Sequence, residues 1–140
     1  METRKLDILF VHTNSSKKVY QDLAKSHSAI EPPIWAAMLA KHCQIKGFGV
    51  QILDCEAERL SADESAKAIN NIDANVVCFV VYGQQPSASS QNMVGAIEAA
   101  NLLKQLDPVR KVLFVGGHVA AHPRQVLQDE AAIDYICQNE

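Results

Sequence analysis

Short apolar runs alternate along the chain with segments whose apolar residues recur at helical spacing. Lys5–Val11 (KLDILFV) is apolar and β-prone, and predicts a first strand. A polar stretch from His12 to Ile30 carries no clear element. Glu31-Pro32-Pro33 then leads into IWAAMLAKHCQIKG, where Pro33 suits a helix's first turn and Gly47 its stop. Val50–Leu53 reads as a second strand ending at Asp54. Ser61-Ala62-Asp63-Glu64 has the spacing of a capping box, opening a helix to about Asn71. Asn75–Val81 (NVVCFVV) is a third strand, followed by an unstructured stretch from Tyr82 to Ser89. Ser90 to about Leu106 predicts a long helix, with Met93, Ile97, Ala100 and Leu103 near helical spacing. Lys111–Val115 is a fourth strand, Pro123–Gln128 a short helix, and Ile133–Cys137 a fifth strand.

The strands are continuous apolar runs rather than alternating ones, as in a parallel sheet covered on both faces. The pattern predicts a doubly wound α/β domain with a parallel five-stranded sheet, flavodoxin/Rossmann-like, in strand order 2-1-3-4-5. Ligands of such sheets bind beyond the carboxyl ends of the strands, where the strand order reverses. The unusual residues of this chain fall there: His12 to Ser16, Tyr82 to Ser87, and Gly116-Gly117-His118. Glycine lacks a side chain and tolerates backbone angles that other residues avoid. The glycine pair in VGGHVAAHP therefore serves either a turn or the close approach of a ligand, and its place at a strand's carboxyl end favours the ligand.

At 140 residues the chain is one domain, with 48% hydrophobic and 21% charged residues, ordinary for a soluble globular protein. The formal net charge of -3 and the lack of a basic run argue against a nucleic-acid partner. No apolar run approaches the ~20 residues that span a membrane. The amino terminus lacks the apolar length and cleavage site of a signal peptide, so a cytoplasmic location is the default. Cys43, Cys55, Cys78 and Cys137 form no CxxC pair, and read as buried free thiols rather than metal ligands. Trp35 reads as a core or near-core residue.

Several chemistries fail on this frame. There is no GxxxxGK[ST] phosphate loop, no GxGxxG after the first strand, no GxSxG elbow and no HExxH pair. His118 and His122 stand four apart, yet His122 reads more simply as a surface residue. Thr13, Asn14, Ser15 and Ser16 faintly suit a flavin phosphate loop, although its usual glycine is missing.

EPPIWAAMLAKHCQIKGFGVQILDCEA, VVCFVVYGQQPSASSQNM and KVLFVGGHVAAHPRQVLQDEAAIDYICQNE together resemble the cobalamin (B12)-binding N-terminal domain of B12-dependent radical SAM proteins. The resemblance runs from about Lys5 onward and is most specific in its last segment. It implies that Gly116 and Gly117 let the corrinoid's nucleotide tail lie against the backbone. Tyr82, Gly83 and Gln84 match the loop lining the same groove, and Ser87 and Ser89 match possible hydroxyl partners. Glu31, Pro32 and Pro33 match the rim near the first helix, and Asn14 and His118 complete the implied cofactor contacts. The loop after strand one reads His12-Thr13-Asn14-Ser15-Ser16-Lys17 and departs from the DxHxxG motif whose histidine ligates cobalt in mutases and methionine synthase. No protein ligand to cobalt is therefore expected.

The chain stops directly after the fifth strand and lacks CxxxCxxC, which suggests an N-terminal fragment of a longer protein. The resemblance implies a downstream radical SAM domain carrying a 4Fe-4S cluster and S-adenosylmethionine. This domain would be noncatalytic by itself, presenting the corrinoid for methyl transfer or related radical chemistry. An uncovered sheet edge would favour a homo-oligomer. Two alternatives stand beside this: a cofactor-free Rossmann-like domain for substrate contact or assembly, and a flavin or nucleotide-binding domain.

Overall fold

In the computed structural model, residues 5–13, 30–83 and 86–138 are described. Five parallel strands form one sheet in the order β2-β1-β3-β4-β5. They are β1 (Leu6–His12), β2 (Val50–Asp54), β3 (Ala74–Val80), β4 (Lys111–Val115) and β5 (Tyr135–Cys137). The helices described between them are α1 (Ile34–Ile45), α2 (Ala62–Asn70), α3 (Pro86–Leu106), α4 (Gly117–Ala121) and α5 (Pro123–Asp129). This is the doubly wound architecture that the apolar runs predict.

The period-two alternation of a strand sends successive side chains to opposite faces, and each face has its own core. On one, Leu9, Val11, Val77, Phe79, Val112 and Phe114 are buried against α2, α3, α4 and α5. The α3 contribution is Met93, Ala96, Ala99, Ala100 and Leu103, whose three alanines let a 21-residue helix lie close to the sheet. On the other face Phe10, Cys78, Val80 and Val115 meet Ala36 and Ala40 of α1.

Local sequence explains the boundaries. Ser61 accepts the Glu64 N–H while the Glu64 carboxylate accepts the Ser61 N–H, so the capping box forms as read. Helix α1 ends in a Schellman motif, in which Gly47 (φ +94°) donates to Gln44 and Phe48 to Cys43. At the amino end of the sheet, the Arg110 guanidinium bonds the Ile72 and Ala74 carbonyls and the Asp107 carboxylate.

Four expectations need correction. Helix α3 starts at Pro86 rather than Ser90, because proline suits the first helical position although PSAS carries no apolar period. The loop read as Tyr82–Ser89 is shorter by that turn, and Ser89 is helical. Residues 117–121, for which the sequence predicts no element, form the short helix α4, opened by the Ala120 N–H to Gly116 carbonyl bond at 3.0 Å. Strand β5 begins at Tyr135 rather than Ile133, since the Ile133 N–H turns back to the Glu130 carbonyl. Of the four thiols, Cys55 and Cys78 are buried but Cys43 and Cys137 only partly so.

Candidate functional site

The order 2-1-3-4-5 makes β1 and β3 neighbours whose connections leave in opposite directions, which opens a crevice at their carboxyl ends. A pocket occupies that place, lined by His12, residues 31–35, Val80, Tyr82 and Gly83. Its empty volume, open mouth included, is about 430 Å³. Pro32 and Pro33 hold the chain entering α1: the Ile34 and Ala37 N–H groups donate to their carbonyls at 2.8 and 2.9 Å. Trp35 follows in the first turn of α1 and stacks on Tyr82, with ring centroids 4.7 Å apart and planes at 26°. It remains 42% exposed, so of the core or near-core reading of Trp35 the core half is corrected. The physical reason is helical phase: Ala36 and Ala40 face the sheet, and Trp35 sits at the edge of that stripe.

His12 ends β1 beside Asp54 of β2, and its Nε2 lies 3.0 Å from a Glu56 carboxylate oxygen. Both side chains are mostly buried. The carboxylate is an acceptor, so Nε2 is the donor. Thr13 is buried next to it.

The second half of the site lies between β3, α3 and α4. A Cβ on Gly116 would stand 2.4 Å from the Val81 carbonyl oxygen, so what fills the space there is the chain's own backbone. A Cβ on Gly117 would meet only Ser89 at 3.8 Å, and Gly117 is exposed. Of the pair, the first glycine lets two strand ends approach and the second presents bare backbone to solvent. Gly83 likewise admits Ala88, since a Cβ there would lie 2.2 Å from the Ala88 Cβ. The buried Ser89 hydroxyl donates to the Val81 carbonyl and accepts the His118 N–H at 3.0 Å. Ser90 Oγ lies 2.8 Å from His118 Nδ1, and the His118 and His122 rings are 5.7 Å apart.

The structure thus brings Glu31, Pro33, Tyr82 and Gly83 into one pocket, and Ser89, Gly116, Gly117 and His118 into a second cluster further along the same sheet edge. Asn14 and Gln84 lie outside the described residues, as does the side chain of Ser87. Glu56 and Ser90 escaped sequence reasoning because 44 and 28 residues separate them from the histidines they meet. For Trp35 a signal existed, in its phase relative to Ala36 and Ala40. Among the described residues no group of three or more His, Cys, Asp or Glu could hold a metal ion, and no helix is long and apolar enough to cross a membrane.

Compared with known families, residues 21–140 match the model of the B12 binding domain. No curated protein and no solved structure matches the chain.

Proposed function

The chain belongs to the B12 binding domain family, and from that premise we propose that it holds a corrinoid at the carboxyl end of its sheet for a radical SAM domain further along the same protein. One observation carries the corrinoid reading: the family match coincides with a pocket at the switch point between β1 and β3.

The residues fit such a group. A corrin ring is flat and apolar on its faces, with amides around its rim. Pro32, Pro33, Trp35 and Tyr82 supply apolar surface, while Glu31 and His12 supply polar groups beside it. Gly117 leaves open backbone against which a nucleotide tail can lie, as its missing side chain meets nothing closer than 3.8 Å. Gly116 and Ser89 act through the frame: they lock β3, β4 and α4 in the arrangement that exposes Gly117. His12 is held by Glu56 at the end of β1 and supports the pocket. Bound cobalamin supplies reversible cobalt–carbon bonding, and a methyl transfer built on it belongs to the full-length protein. This chain binds and orients.

A second reading, a cofactor-free domain of the same fold, is favoured by the fact that the Gly116 cradle and the Ser89 hydroxyl are already filled from within. Titration with hydroxocobalamin, followed by absorbance and by equilibrium dialysis, separates the two. Saturable binding that Gly117→Val weakens supports the corrinoid reading. A folded wild-type protein that binds none overturns it in favour of the second.

A further inference from the structure

We propose that the stacked Trp35–Tyr82 pair is the surface against which the macrocyclic ring of the corrinoid packs, distinct from the tail contact at Gly117. The inference rests on the corrinoid reading above and assigns the ring to one of the two halves of the site. Trp35 is the chain's single tryptophan, yet 42% of its surface is in solvent. Ile34 beside it lines the pocket and is exposed, as is Met38 one turn on, so that an apolar patch runs from the pocket along α1. Such a patch marks an interaction surface when it adjoins a pocket.

The pair is also built to be rigid. Trp35 follows two prolines whose carbonyls accept the Ile34 and Ala37 N–H groups. Tyr82 is fixed through its backbone, because Asn92 Nδ2 donates to the Tyr82 carbonyl at 2.9 Å and the next residue, Gly83, packs against Ala88. An aromatic surface held from α1 on one side and β3 on the other loses little freedom when a ring settles on it. Its chemistry suits a conjugated, apolar face and provides no coordinating nitrogen, since the Trp indole N–H is a donor only.

The test uses cobinamide, a corrin without the nucleotide tail, beside hydroxocobalamin, with binding read by equilibrium dialysis on protein whose fold is checked by circular dichroism. Trp35→Ala weakens both ligands about tenfold, and Trp35→Phe restores most of the loss. Gly117→Val weakens hydroxocobalamin and leaves cobinamide unchanged. Acrylamide quenching of Trp35 fluorescence in the wild-type protein falls several-fold at saturating cobinamide, a readout that needs no variant to fold. Wild-type affinity for both ligands in a folded Trp35→Ala, or unchanged acrylamide quenching, overturns the aromatic contact while leaving the corrinoid reading in place. Loss confined to hydroxocobalamin in Trp35→Ala also overturns it, because Trp35 would then meet the tail. Absence of binding to the folded wild-type protein overturns both.

Discussion

Replacing Gly116 with alanine tests whether the glycine pair is one feature or two. The new Cβ would stand 2.4 Å from the Val81 carbonyl oxygen and 2.7 Å from the Val81 carbonyl carbon, separations that real side chains do not tolerate. Relief requires the ends of β3 and β4 to part by several tenths of an ångström. Two bonds hold them there, from the Val81 N–H to the Val115 carbonyl at 2.8 Å and from Ser89 to the Val81 carbonyl. Overpacking of this kind costs about 1–3 kcal/mol, and weakening one buried hydrogen bond adds about 1 kcal/mol. The expected loss is thus roughly 2–4 kcal/mol, which for a domain of this size lowers Tm by roughly 8–16 °C. Gly117→Ala is the control: its Cβ meets Ser89 at 3.8 Å, and stability should stay within about 0.5 kcal/mol of wild type. Thermal and urea unfolding followed by circular dichroism measure both. A Gly116→Ala protein as stable as wild type, or equal losses at the two positions, would refute the division of roles.

Three further outcomes are expected. Ser61→Ala removes a capping box and should cost about 1 kcal/mol in urea unfolding, with Glu64→Ala in the same background adding little. Burial pushes the Cys55 thiol up to about 11 and that of Cys78 higher still, so a thiol reagent at pH 8 should modify neither until urea unfolds the chain; rapid modification of both in the native protein would contradict the packing. Partial burial of Asp134 works to raise its pKa, but bonds from Lys104 and the Val112 N–H outweigh it and hold the carboxyl below the ordinary range. A depressed folded pKa stabilises above the unfolded value and fades as pH falls through the folded one. The stability gap between wild type and Asp134→Asn should therefore be flat from neutral pH down to about 5 and shrink below about 4; a gap that widens on acidification would show the sign to be wrong.

The parts of this fold legible in the sequence are those encoded by neighbours in the chain. Lys111–Val115 was bounded correctly because Pro108 and Gly116 punctuate an apolar run, and Ser61–Glu64 because a capping box needs only four residues. The parallel sheet is legible in unbroken apolar strands, which need cover on both faces, and its order is the one expected of a flavodoxin-like domain. Where local signals are weak the boundaries slipped: PSAS has no apolar period, so the first turn of α3 read as loop. Contacts across the fold left no trace. The His12–Glu56 pair, the Ser90–His118 pair and the Val81 backbone filling the Gly116 cradle all arise from elements distant in sequence and brought together in space. Trp35 illustrates a subtler failure, in that hydrophobicity argued for the interior while helical phase pointed to the rim.

Ser89 sets the spacing between the two halves of the site. Its single hydroxyl joins the end of β3 to the His118 N–H in α4, and the adjoining Ser90 bonds the His118 ring. Because Tyr82 follows Val81 directly, that hydroxyl ties α4 to the strand end that carries the aromatic pair. The two halves of the site are thus set at one spacing by one turn of α3. A molecule touching both Gly117 and Tyr82 has to match that spacing.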